Sequence, residues 1–157
     1  MVKHAEQVPE DFHARFWAKS KVYTYTIYNS KFPSPLYRRY SYFYPVPLDL
    51  DAMQRAARFL VGVHDFKAFM ASGSAVKSTV RHVKRLEVVR DGEIVRIEIE
   101  ADGFLYNMVR IIAGTLLEVG IGKREADEMV SIIESGDRFC AGKTLAPQGL
   151  CLVKVNY

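Results

Sequence analysis

Cysteine is almost absent from this chain, and the two present, Cys140 and Cys151, match no zinc-ligand or redox spacing. A disulfide scaffold and a structural zinc site are thereby excluded. Reduced thiols in a cytoplasmic chain are the expectation. Uncharged apolar runs of membrane length are also missing. The longest, Phe104 to Ile121, carries Arg110 and Glu118, which argues against a spanning segment, and no signal peptide opens the sequence. There is no phosphate-binding glycine loop, no dinucleotide fingerprint and no metal-ligand cluster, so neither a cofactor nor a metal is expected. Repeats, low-complexity tracts and acidic tails are absent too.

What remains is ordinary in bulk and unusual in one place. At 157 residues and 49% hydrophobic content, residues 1–157 are expected to form one domain with a real core. Seven of the nine tyrosines (Tyr23, Tyr25, Tyr28, Tyr37, Tyr40, Tyr42 and Tyr44) crowd into one short stretch. A net charge of +4 permits a polyanionic partner without demanding one.

Periodicity supplies the elements. Val22 to Tyr28 alternates, with Tyr23, Tyr25 and Ile27 on one face, which predicts a strand. Asn29 to Pro35 reads as a loop, and Arg39 to Phe43 as a second strand. Asp49 or Asp51 caps an expected helix to about Val61, with Gly62 ending it. Asp91-Gly92 between two strand-like runs, Val83 to Arg90 and Glu93 to Glu100, predicts a hairpin whose Val95, Ile97 and Ile99 face the core. Helices are expected over about 104–119 and 123–134, and a last strand near Leu150 to Val155. Met1-Val2-Lys3 reads as the tail of a strand, as if the chain were cut from a longer one. The sum is an α+β domain: a largely antiparallel sheet with helices packed on one face.

Chemistry centres on Arg110. On a helix, Asn107, Arg110, Gly114 and Glu118 form one stripe in otherwise apolar surroundings. Such a guanidinium either snorkels to water or meets a carboxylate. Glu118, two turns away at roughly 12 Å, is a poor partner, and Gly114 leaves room for another segment to approach. A carboxylate from outside the chain would leave Arg110 unpaired here, so Arg110→Leu is expected to cost no stability.

Tyr23 stands among Lys19, Lys21, Arg38 and Arg39, a setting equally suited to base stacking and to a half-buried sheet residue. The run from Lys77 to Arg85 is either a solvated strand edge or a phosphate contact. His64-Asp65 lacks a positioned nucleophile, and Asp65 is expected to cap the turn before Phe66 and Phe69.

Several blocks resemble a known family in the right order. They are Asp11-Phe12-His13-Ala14-Arg15-Phe16, Tyr23 to Asn29, Gly62-Val63-His64-Asp65-Phe66-Lys67-Ala68-Phe69, Ser78-Thr79-Val80-Arg81, Gly103 to Arg110, and Ala146 to Val155. Together they are similar to the C-terminal half of the tRNA pseudouridine synthase A family. Asn107 departs from a frequent histidine, Cys151 from an aromatic residue and His82 from an aliphatic one. The resemblance implies isomerisation of uridine to pseudouridine at positions 38 to 40 of the tRNA anticodon arm, without a cofactor. It also implies a homodimer in the full-length enzyme. The family's catalytic aspartate lies in Arg-Thr-Asp-x-Gly-Val-His, and no Arg-Thr-Asp occurs here. By resemblance Tyr23 stacks on the target uracil, Arg110 pairs with that absent aspartate, and Leu150 gives apolar contact. Lys19, Lys21 and Arg81 hold RNA backbone. An N-terminal catalytic domain is therefore the implied missing partner, with tRNA as substrate. The competing reading is a stand-alone RNA-binding or dimerisation module.

Overall fold

Alternating tyrosine, threonine and isoleucine make Ser20–Asn29 the central strand, β1, because aromatic and β-branched side chains fit a pleated, half-buried surface. The computed structural model describes residues 2, 5–73 and 76–157. The Met1–Lys3 expectation lies outside the described residues except for Val2, which belongs to no strand.

The elements run β1, β2 (Tyr42–Tyr44), α1 (Leu50–Arg58), β3 (Gly62–Asp65), β4 (Val80–Asp91), β5 (Ile94–Ala101), α2 (Met108–Gly120), α3 (Glu128–Ser135) and β6 (Leu150–Asn156). The six strands form one sheet in the order β2-β1-β5-β4-β3, with β6 also on β1. Every pairing is antiparallel except β1 with β2. The α+β expectation holds.

Tyr23, Tyr25 and Ile27 lie opposite Ile99, Ile97 and Val95 in the β1–β5 register. Apart from the half-buried Tyr23, these side chains are fully buried, and Met53, Leu60, Ile111, Ile112, Leu116 and Ile132 of the helical layer join them in one core. Where β3 stops, Gln54 of α1 takes over as partner of the β4 edge. It accepts from the Val88 amide and donates to the Leu86 carbonyl.

Several boundaries differ from expectation for local reasons. Residues 37–40 turn instead of extending: Tyr40 N–H donates to the Tyr37 carbonyl, and Tyr37 stacks on Tyr28 at 5.1 Å. The second strand is therefore only Tyr42–Tyr44. Helix α2 begins at Met108, because Asn107 adopts a left-handed backbone (φ 59°) that no helix interior tolerates. Helix α3 likewise starts late, at Glu128. Strand β3 was not anticipated, although the Asp65 carboxylate does accept from the Lys67 amide ahead of the Phe66–Phe69 turn. In the basic run, residues 80–83 are covered by β3, while Lys84 and Arg85 lie past the end of β3 on the side of β4 away from β5.

Candidate functional site

Tyr23 is the point where β1 leaves the core. It lies opposite Leu152 of β6 and is only half buried, whereas Tyr25 and Ile27 on the same face are fully covered. Phe104 meets its ring edge-on, with centroids 5.0 Å apart and planes at 78°. That geometry suits the ring quadrupoles, and the half-buried Tyr23 ring still contributes to the wall of a cleft.

Leu150 is brought beside it by a 3-10 turn, Pro147–Gly149, in which the chain passes unusually close to β1. A Cβ on Gly149 would stand 2.7 Å from the Thr26 carbonyl oxygen and 2.8 Å from the Tyr25 ring. The Tyr25 hydroxyl donates to the Ala146 carbonyl at 2.6 Å, fixing the same turn. Burial raises the Tyr25 pKa, and the nearby Arg110 charge opposes that shift.

Tyr23 and Leu150 line one cleft of about 350 Å³, together with Arg15, Phe104, Tyr106 and Asn107 among others. Its wall at Asn107 leads to Arg110 one helical turn on. Arg110 Nε donates to the Leu145 carbonyl at 2.6 Å, and Nη1 donates to Asn107 Oδ1 at 2.7 Å. No carboxylate pairs with Arg110 among the described residues. Nη2 has no hydrogen-bond partner among the described residues and is not fully enclosed, since no buried side-chain nitrogen or oxygen among them lacks a partner. Arg110 itself stands behind Asn107 and does not line the cleft. The guanidinium is thus held along one edge by neutral acceptors and open at the other.

Glu118 is occupied elsewhere. It bonds Arg124 at 2.6 Å and Lys123 at 3.0 Å. Burial acts to raise its pKa, but these two cations outweigh it and hold the carboxyl below the ordinary glutamate range. Gly114 admits the approaching segment as expected: an added Cβ would sit 1.9 Å from the Lys143 carbonyl oxygen.

The weaker sequence candidates are more scattered, and none of them lines the cleft. Lys21 shares the β1 face of Tyr23 two residues away, and Lys19 is exposed just before the strand. Arg81 gives Nη1 to the Ser78 and Val80 carbonyls and lies beside Gly103. Phe104, Asn107 and Arg15 went unassigned in the sequence. Their signal was indirect: each sits within a block quoted above, and Asn107 marks the only non-glycine positive φ among the described residues.

A sequence model described as tRNA pseudouridine synthase matches residues 56–157. The chain belongs to that family. It is 53% identical over all 157 residues to the tRNA pseudouridine synthase A of Acetivibrio thermocellus, and 50% identical over the same span to that of Thermoanaerobacter pseudethanolicus. The Geotalea uraniireducens tRNA pseudouridine synthase A is 51% identical over 156 residues. The chain spans 64% of the length of each of these relatives. Arg110 and Leu150 fall inside the family match. Arg15, Lys19, Lys21 and Tyr23 precede it but fall within the full-chain alignments. No helix among the described residues is long and apolar enough to cross a membrane.

Proposed function

We propose that residues 1–157 are the C-terminal domain of an enzyme that isomerises uridine to pseudouridine in the tRNA anticodon stem-loop. The catalytic aspartate would come from an N-terminal domain outside this chain. The observation that carries the reading is the open edge of Arg110, a guanidinium without a carboxylate beside a cleft walled by Tyr23 and Leu150. In this reading the Tyr23 ring stacks on the uracil, as a flipped base requires. Leu150 makes apolar contact with the ring, and Lys19, Lys21 and Arg81 hold the RNA backbone.

Arg110 then does two things to the incoming aspartate. A bidentate-capable guanidinium fixes its direction, and its charge favours the ionised form. The aspartate acts as nucleophile or base while the glycosidic bond breaks, and the base turns and rejoins the ribose through carbon. No cofactor enters this scheme. Leu152 and Val153 are 47% and 60% exposed on β6, whose outer edge is unpaired among the described residues, a surface suited to an adjoining domain. Two exposed free cysteines suit a cytoplasmic protein. The full-length enzyme would be a homodimer.

The test is tritium release from tRNA carrying 5-tritiated uridine. The 157-residue chain alone is expected to release none, and release by it would refute the half-site reading. Fusion to an N-terminal segment carrying Arg-Thr-Asp-x-Gly-Val-His is expected to restore release. Arg110→Ala in that fusion is expected to lower the rate by about a hundredfold or more. A fusion that folds and stays inactive would refute the assigned activity.

A further inference from the structure

Arg15 is the one charged side chain among the described residues lining the Tyr23 cleft. It arrives there on a built turn rather than a loose end. His13 Nδ1 accepts from the Arg15 amide at 3.2 Å and from the Phe16 amide at 3.4 Å, and the His13 carbonyl accepts from Trp17 at 2.9 Å. Phe12 packs against Trp17 and against Tyr157 at the end of β6, with centroids 5.6 Å and 5.0 Å apart. The segment before β1 is therefore fastened to the far end of the chain, and Arg15 is carried to the rim.

Its guanidinium makes no hydrogen bond or ion pair among the described residues. Its recorded contact is the Phe16 ring, 5.9 Å from Cζ. A ring face under a guanidinium leaves the planar edge of donors free. Other arginines are committed, Arg85, Arg96 and Arg124 to carboxylates and Arg81, Arg110 and Arg138 to carbonyls. The remaining uncommitted ones among the described residues, Arg38, Arg39, Arg55 and Arg58, do not line this cleft. An uncommitted fork of N–H donors at the mouth of an otherwise uncharged, partly aromatic cleft matches a ligand with a flat ring at one end and an anion at the other.

We propose that Arg15 binds the phosphate of the nucleotide whose base occupies the Tyr23 cleft, making the site a reader of a nucleoside phosphate rather than of a base alone. The inference rests on reading the Tyr23 cleft as a base site. A cleft of about 350 Å³ lies at the small end of ligand pockets, roughly 300–1,000 Å³. It accommodates one nucleotide, whose phosphate stands one ribose away from the ring, at the rim. Arginine suits that position because its planar fork grips phosphate through two parallel hydrogen bonds.

The experiment is an NMR titration of the 157-residue chain with uridine and, separately, with uridine 5′-monophosphate, following the Tyr23, Asn107 and Leu150 amides. Uridine monophosphate is expected to bind roughly tenfold more tightly than uridine, the scale of one charge-assisted phosphate contact. Arg15→Gln is expected to remove that difference while leaving uridine binding and the rest of the spectrum unchanged. Lys31→Gln, which removes the same charge away from the cleft, is expected to preserve it. Equal binding of the two ligands to the wild type overturns the inference, as does equal weakening of both by Arg15→Gln or a loss as large in Lys31→Gln. The response to uridine alone reports separately on the base site: no uridine shift at Tyr23 counts against the proposed function, whatever Arg15 does.

Discussion

Arg110 joins two neutral acceptors from different parts of the chain. Its Nε bond to the Leu145 carbonyl reaches across 35 residues of sequence, and the Leu145 amide donates back to the Arg110 carbonyl at 3.3 Å. Leu145 is 1% exposed, so removing the guanidinium leaves a buried carbonyl without its donor, at a cost of about 1–3 kcal/mol. Arg110→Leu gains some apolar burial in return, but leucine cannot satisfy that oxygen. The variant is expected to lose about 1 kcal/mol or more in urea denaturation of the 157-residue chain. An unchanged midpoint would mean that water replaces the arginine. The sequence alone pointed the other way, because a lone cation on an apolar helix announces that it needs a partner and not which one. A carboxylate can be sought by residue type. A backbone carbonyl contributed by a distant loop has no letter in the sequence.

That loop and helix α2 form the element on which the candidate site is mounted. Residues 142–145 press backbone against backbone onto the helix. The Gly142 amide donates to Thr115 Oγ1 at 2.9 Å, and a Cβ on Gly142 would come within 2.7 Å of the Thr115 backbone. On the helix side Gly114 is the matching concession. Alanine there gains about 1 kcal/mol in helix propensity, yet its methyl would overlap the Lys143 carbonyl oxygen at 1.9 Å. The overlap wins, since overpacking of this kind typically costs 1–3 kcal/mol or more and here the obstacle is backbone. Gly114→Ala is expected to lower the thermal midpoint by roughly 5 °C or more, measured by circular dichroism. A rise in the midpoint would show that the 142–145 segment is free to move away. Gly114 was legible as room for an approach, and the apolar stripe of α2 was legible as core. The helix start was not, because a single left-handed residue leaves no periodic mark, although asparagine is one of the few side chains that tolerate that backbone. Strand β3 was hidden for a similar reason: four residues at an edge, only intermittently buried, give too short a period to read.

Taken whole, the molecule has a sheet whose faces the sequence foretold and whose neighbours it did not. Alternation assigns Ile97 and Tyr25 to the core side, but it cannot say that β5 separates β1 from β4 or that β2 runs parallel to β1. The same limit applies to charge. Twenty-two Lys and Arg against eighteen Asp and Glu give +4, a sum that says nothing about which cations are available. Arg85, Arg96, Lys123 and Arg124 are in ion pairs, and Arg81, Arg110 and Arg138 bond carbonyls. Near Tyr23, the side chains of Arg15, Lys19 and Lys21 carry no hydrogen bond or ion pair among the described residues. With Arg81, the proposed phosphate contacts number four and release few counterions, so the logarithm of tRNA affinity is expected to fall against the logarithm of salt with a slope of about −3 to −4. The dissociation constant should stay in the range of roughly 1–100 µM near physiological salt, as for non-specific binding. A stand-alone RNA-binding module would instead bind below micromolar, with a steeper slope from a continuous basic surface. Fluorescence anisotropy of labelled tRNA across a salt series separates the two. Submicromolar binding with a slope beyond about −5 would mean that this chain holds RNA by itself, and that its basic side chains, rather than an absent domain, complete the interface.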